Sequence, residues 1–471
     1  MLHISTRGEA PAIGFREALL AGLARDGGLY VPERWPALSR ETIAGFAALP
    51  YHAVAERVLG ALVDGEIARE PFAEMVRASY AGFRHPAVCP LVQIDDNLFV
   101  LELFHGPTLA FKDVAMQLLG RLMDHVLAAR GERATIVGAT SGDTGSAAVE
   151  AFRGLANVDV FILYPHGRVS EVQRRQMTTV PDENVHAIAI DGTFDDAQAI
   201  VKGMFNHARF RDDVRLSGVN SINWARVAAQ AVYYFTAGVS LGAPHRAIGF
   251  SVPTGNFGDV LAGFVAKRMG LPVADLVIAS NANDILPRTL ETGRYSVTGV
   301  VPTSSPSMDI QVSSNFERLL FEAYDRDAAA IRAAMGALAQ AKGFSIADAP
   351  LAAIRSEFSA RAVPEDAVAA EIRETHARAG YLLDPHTAIG TAAARARLAR
   401  DPGTPMVALA TAHPAKFPDA VEAAAGIRPA LPPHLADLYE RAERVTRLPA
   451  DQAAIERFVR ERGRVAGARP A

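Results

Sequence analysis

The residues best suited to chemistry lie in four short segments. Each joins an apolar run to a turn or helix. The first is Phe104-His105-Gly106-Pro107-Thr108-Leu109-Ala110-Phe111-Lys112-Asp113. His-Gly-Pro-Thr makes a tight turn, and Lys112 falls where the next helix begins. Partial positive charge at a helix N-terminus disfavours an ammonium. With Ala110 and Phe111 beside it, Lys112 is expected to have a lowered pKa, which suits Schiff-base chemistry. An ordinary helix-start lysine paired to a neighbouring carboxylate fits the same position. Composition sharpens the choice: of 48 Lys plus Arg, only five are lysines, namely Lys112, Lys202, Lys267, Lys342 and Lys416. Arg keeps its proton and cannot serve as an amine nucleophile. Each lysine is therefore a candidate for a role Arg cannot fill, with drift in an Arg-biased chain as the alternative.

The second segment, Gly138-Ala139-Thr140-Ser141-Gly142-Asp143-Thr144-Gly145-Ser146, follows an apolar strand pattern and opens a helix. Small residues and hydroxyls there let backbone amides approach an anion. A plain turn with Asp143 or Thr144 as N-cap is equally consistent. The third, Pro253-Thr254-Gly255-Asn256-Phe257-Gly258-Asp259, is a phosphate-cup candidate on the same logic, since its glycines permit positive φ. The fourth, Thr411-Ala412-His413-Pro414-Ala415-Lys416-Phe417, lies just past a strand pattern, where open parallel sheets place ligands. Arg168, Arg174 and Arg175 could meet a substrate anion, or form a solvated basic face.

Other chemistries find little support. There is no Walker A loop, GxGxxG fingerprint, HExxH pair or GxSxG elbow. The single Cys89 rules out an internal disulfide and any multi-cysteine metal site; no metal is expected. The net charge of −4 over 471 residues gives no footprint for nucleic acid and no polybasic anchor. The N-terminus lacks a secretion-signal pattern and no run approaches a membrane span. A soluble, cytoplasmic protein is the expectation.

The elements that must position these segments follow from periodicity. Residues 1–90 read as an N-terminal helical unit. From 91 to 315, short apolar runs (NLFVLELF, ATIVGAT, VDVFILYP, VHAIAI, AIGFSVP, DLVIAS) alternate with helical patterns. Among these, KDVAMQLLGRLMDHVLAAR carries a strong apolar stripe. This alternation predicts an α/β fold with parallel sheets covered on both faces. Residues 316–380 read as a helical insertion and 381–425 as a return to the core through PMVALAT. Residues 426–471 read as a helical tail whose end, ERGRVAGARPA, frays.

Taken together, the four segments resemble the threonine synthase family of the longer, fungal and enterobacterial type, within the fold-type II pyridoxal-phosphate (PLP) enzymes. LFHGPTLAFKD, GATSGDTGSAA, VPTGNFGD and LATAHPAKF carry the likeness. DGGLYVP, SGVNSINWARVAAQ, SPSMDIQVSSNFERLLF and GYLLDPHTAIG extend it from about residue 27 to 417. The resemblance implies two open parallel-sheet lobes and pyridoxal 5'-phosphate as cofactor. It also implies conversion of O-phospho-L-homoserine and water to L-threonine and phosphate by a monomer or homo-oligomer. Another fold-type II lyase, such as a dehydratase or phospholyase, is the nearest alternative, and a non-catalytic relative a more distant one.

By the same resemblance Lys112 carries the cofactor and shuttles protons. Gly255, Asn256, Phe257, Gly258 and Asp259 hold its phosphate, and Thr411 meets the pyridine nitrogen. Ser141, Thr144, Arg168, Asn220 and Ser221 are substrate-binding candidates. Asp143 stands where many fold-type II relatives carry Asn. A carboxylate facing the anionic ring oxygen would be repelled, so Asp143 is expected to turn away as an N-cap.

Overall fold

In the computed structural model, residues 1–465 are described. Two sheets form the frame. One has six strands in the order Phe358–Ala362, Val273–Ser280, Ile248–Pro253, Met406–Ala410, Leu98–Glu102, Leu91–Asp95. All its pairings are parallel except the last, where Leu91–Asp95 runs antiparallel at the edge. The other has five parallel strands in the order Thr446–Pro449, Val185–Asp191, Val158–Pro165, Ala134–Ala139, Leu216–Ser217. Strands such as Val158–Pro165 and Ile248–Pro253 are buried along their whole length. Continuous apolar runs suit strands covered on both faces.

The helix Lys112–Arg130 links the lobes. Its stripe of Val114, Leu118, Leu119, Leu122, Met123, Val126 and Leu127 is buried throughout, and Gly131 ends it in a left-handed conformation. Helix Trp224–Ser240 is apolar on nearly every side. It packs between helices Tyr51–Val63, Lys112–Arg130 and Gly258–Arg268. The N-terminal segment thus shares one continuous core with both lobes.

The structure differs from the periodicity reading in four places. Residues 1–90 hold an antiparallel strand pair, His3–Ser5 with Tyr30–Pro32, beside their helices. Residues 316–380 are mostly helical but contain strand Phe358–Ala362 on the edge of the six-stranded sheet, and strand Gly343–Ser345. An edge strand has one neighbour and needs few apolar residues, so FSARA carried no strand signal. The tail is not wholly helical, because Thr446–Pro449 completes the other sheet. Nor does the tail fray from 461. The helix Gln452–Arg462 runs on, and Arg464 Nε reaches the buried Asp159 carboxylate at 2.5 Å. The remainder of that segment, 466–471, lies outside the described residues. No helix among the described residues is long and apolar enough to cross a membrane.

Candidate active site

The four segments meet at the carboxyl ends of the strands, where the loops of the two sheets face each other. The segment before Lys112 leaves strand Leu98–Glu102. Its turn is fixed by Asp113, whose buried carboxylate accepts the Thr108 N–H at 2.8 Å and the Thr108 hydroxyl at 2.7 Å. A Cβ at Gly106 would lie 2.5 Å from the Asp113 side chain, so only glycine fits there. Leu109 takes a positive φ of 62°. The segment then pairs with the one leaving strand Met406–Ala410: Phe111 N–H donates to Thr411 carbonyl at 2.9 Å, and His413 N–H to Leu109 carbonyl at 3.0 Å. Lys112 and Thr411 are held side by side through their backbones.

Lys112 is buried, 9 % exposed, and its Nζ lies 5.0 Å from the Phe111 ring centroid. Burial lowers its pKa. Asp143 acts against that shift, while Lys416 and Arg226 reinforce it. The expected lowering is present, but its main cause is desolvation. The alternative reading holds as well, because Lys112 Nζ donates to Asp143 Oδ2 at 3.1 Å.

Asp143 corrects the sequence reading. It is not an N-cap: Gly142 occupies the cap of helix Asp143–Phe152 with no side-chain cap bond. The carboxylate instead turns into the site. Its Oδ2 accepts from Lys112 and from Ser307 hydroxyl at 3.0 Å. Its Oδ1 accepts from Gln173 amide at 2.9 Å and meets Lys416 Nζ at 2.8 Å. Burial alone would raise its pKa, yet the Lys112 and Lys416 ammoniums hold it well below the usual carboxylate range. Two facing cations are what the expectation lacked. The glycine-rich turn around it is locked by Thr140, whose hydroxyl accepts the N–H groups of Gly142 and Gly145, both at 2.9 Å.

The third segment leaves strand Ile248–Pro253. Phe257 has φ 65° and caps helix Gly258–Arg268, with its ring buried against Phe316 and Phe358. Asn256 carbonyl accepts Asn315 N–H at 3.1 Å, and Gly255 carbonyl accepts Ser313 hydroxyl at 2.6 Å. With these carbonyls turned toward Ser313 and Asn315, no backbone carbonyl among the described residues accepts from the N–H groups of Gly255, Asn256 or Phe257. Three such groups beside a helix N-terminus suit a phosphate. Asp259 points elsewhere: Oδ1 accepts Tyr233 hydroxyl at 2.5 Å and Tyr234 hydroxyl at 3.1 Å, Oδ2 has no partner among the described residues, and burial pushes its pKa up to about 7.

The substrate-binding candidates divide. Ser141 and Thr144 flank Asp143 and are partly exposed. Ser221 lies against the third segment, its carbonyl accepting Asn315 amide at 3.1 Å, while Asn220 beside it is exposed. Arg168 is exposed. Arg174 and Arg175 are occupied by Glu171 and Glu443. Lys416, Gln173 and Ser307 join the site unforeseen. Lys416 stood among the five lysines, and Ser307 lay inside a segment carrying the resemblance.

Comparison with known proteins identifies the family. Residues 2–80 match the model "Threonine synthase N terminus", 87–361 "Pyridoxal-phosphate dependent enzyme" and 387–459 "Threonine synthase, C-terminal". A threonine synthase of Pseudomonas aeruginosa is 55% identical over 98% of this chain and 99% of its own. The crystal structure of PLP-bound threonine synthase from Brucella melitensis has TM-score 0.96 and 61% identity, covering 98% of this chain and 100% of that one. The yeast threonine synthase structure has TM-score 0.93 and 38% identity, covering 98% of each chain. This chain belongs to the threonine synthase family of pyridoxal-phosphate-dependent enzymes.

Proposed function

We propose that this protein converts O-phospho-L-homoserine and water to L-threonine and phosphate with pyridoxal 5'-phosphate as cofactor, in the cytoplasm. One observation carries the reading: a buried amine at Lys112 is linked through Asp143 and Ser307 to a turn at 255–257 whose N–H groups meet no backbone acceptor among the described residues. An aldehyde and a phosphate on one rigid ring need those two grips. Bound pyridoxal phosphate supplies a covalent hold on the substrate amine and a conjugated ring that accepts electron density from Cα and Cβ.

The protein's residues do the rest. The N–H groups of Gly255, Asn256, Phe257 and Gly258, with the helix N-terminus, hold the cofactor phosphate. Asp259 braces that turn through Tyr233 and Tyr234. The Thr411 hydroxyl meets the pyridine nitrogen. A hydroxyl does not favour pyridinium as a carboxylate would, which weakens the ring as a sink. Lys112 Nζ, the buried amine of the site, would carry protons among substrate Cα, Cβ and Cγ. Phosphate leaves from Cγ and a water oxygen adds at Cβ. We assign the substrate phosphate to Ser141, Thr144 and Ser221, with the exposed Arg168 and Asn220 as further partners.

The test is direct. Supplied with cofactor, the protein turns yellow and releases phosphate and threonine in equal amounts from O-phospho-L-homoserine. Lys112→Ala loses the covalent attachment, and kcat falls by at least about 10³-fold. Phosphate with 2-oxobutyrate and no threonine would show a different lyase.

A further inference from the structure

Asp143 carries more cation than one carboxylate needs. Its Oδ2 faces Lys112 and its Oδ1 faces Lys416, and all three residues are buried. Lys416 is fully enclosed, at 0 % exposure. Its other partner is the Thr108 carbonyl, which it reaches at 2.8 Å. Nothing in the proposed chemistry uses this second amine. In a chain with 43 arginines among its 48 basic residues, a lysine here is a compact charge where a guanidinium fork would need more room and more acceptors.

The problem it answers is one of charge. Lys112 must be unprotonated to add to an aldehyde; the addition forms the carbon–nitrogen bond and releases one water. When Lys112 gives up its proton, Asp143 loses the cation at Oδ2. A buried carboxylate left without a cation is strongly disfavoured. The other groups do not fill the gap. His386 faces Asp143, but its Nδ1 is tied to Asp384 at 2.7 Å. Arg226 faces Lys112 and donates to the Val219 carbonyl at 3.1 Å. Asp259, the remaining charged group near Lys112, is itself acidic.

We infer that Lys416 is a positioning residue, the standing counter-ion of Asp143, which keeps that carboxylate paired when Lys112 is a free amine. The inference rests on the proposed cofactor role of Lys112. Without Lys416, Asp143 would grip the Lys112 ammonium and hold it protonated. The burial of Lys112, with Lys416 and Arg226 nearby, already favours its neutral form.

The experiment is a pH titration of the rate of cofactor uptake by the apoenzyme, followed by the visible absorbance that appears as the holoenzyme forms. Wild type is compared with Lys416→Met, Asp143→Asn and the double variant. Met keeps the length and apolar stem of lysine and removes the charge. In Lys416→Met the titration midpoint rises by at least about one pH unit and uptake near neutrality slows about tenfold. The double variant, losing anion and counter-ion together, returns toward wild type. A purely structural lysine would lower the unfolding midpoint and leave the titration in place. An unchanged midpoint in Lys416→Met overturns the inference while leaving the proposed function standing. A wild type that takes up no cofactor overturns the proposed function itself. If Lys416→Met does not fold, Asp143→Asn and the double variant are compared: with the carboxylate gone Lys416 has no anion to neutralise, so the two midpoints agree, and a further rise on removing Lys416 refutes action through Asp143.

Discussion

Gly142 offers a sharp test of how the glycine-rich turn is built. Its φ is 139°, outside the range L-residues adopt readily, and a Cβ there would sit 2.2 Å from Gln173 Cδ. Gln173 does two things: it donates to Asp143 Oδ1 at 2.9 Å and completes the capping box of helix Glu171–Thr178 with Ser170. Gly142→Ala must therefore both strain the backbone and expel Gln173. Backbone strain costs about 1–3 kcal/mol. Loss of a hydrogen bond to a buried carboxylate costs about 1.5–3 kcal/mol, and loss of the cap about 1 kcal/mol. The last two share one displacement, so the expected total is about 3–6 kcal/mol, a large part of the 5–15 kcal/mol typical of a folded protein. Equilibrium urea denaturation of Gly142→Ala, Gln173→Ala and the double variant measures it. The double variant should be less destabilised than the sum of the singles, because the clash partner is gone. A Gly142→Ala protein within about 1 kcal/mol of wild type would refute the reasoning.

Asp259 sets a pH dependence in the cofactor-free protein. Burial raises its folded pKa to about 7, above the ordinary 3.8. Its contribution is therefore full below about pH 4 and is lost as pH rises toward 7. Asp259→Asn keeps an acceptor for Tyr233 and Tyr234, so denaturation midpoints should vary less with pH and exceed wild type near pH 8; a parallel pH profile would contradict this. Arg464→Ala leaves the Asp159 carboxylate, 1 % exposed, without its cation. The expected loss is about 2–4 kcal/mol by denaturation, partly recovered in Arg464→Lys.

Much of this site could be read from the chain because strand-to-helix turns carry their own chemistry. PTGNFGD needs Gly255 where a Cβ would lie 2.9 Å from the Ser307 carbonyl, although the positive φ expected of its glycines falls on Phe257, and HGPTLAFKD needs Gly106 where Asp113 packs under the turn. Long apolar runs such as VDVFILYP announced central strands, because both faces of such strands are buried. What escaped was whatever depends on distant partners. Asp143 was read from its own turn as a cap, yet its direction is decided by Lys416, Gln173 and Ser307, which come from three other segments. FSARA and TRLP are edge strands whose partners lie far away in sequence, so local periodicity could not reveal them.

The central claim concerns where bonds break, and oxygen labels report that. The protein, loaded with pyridoxal phosphate, is given O-phospho-L-homoserine in water enriched in oxygen-18, and both products are weighed by mass spectrometry. Elimination at Cγ followed by water addition at Cβ puts a single solvent oxygen in the threonine hydroxyl and none in the released phosphate. Labelled phosphate accompanied by homoserine would mean cleavage at phosphorus, and would contradict the account.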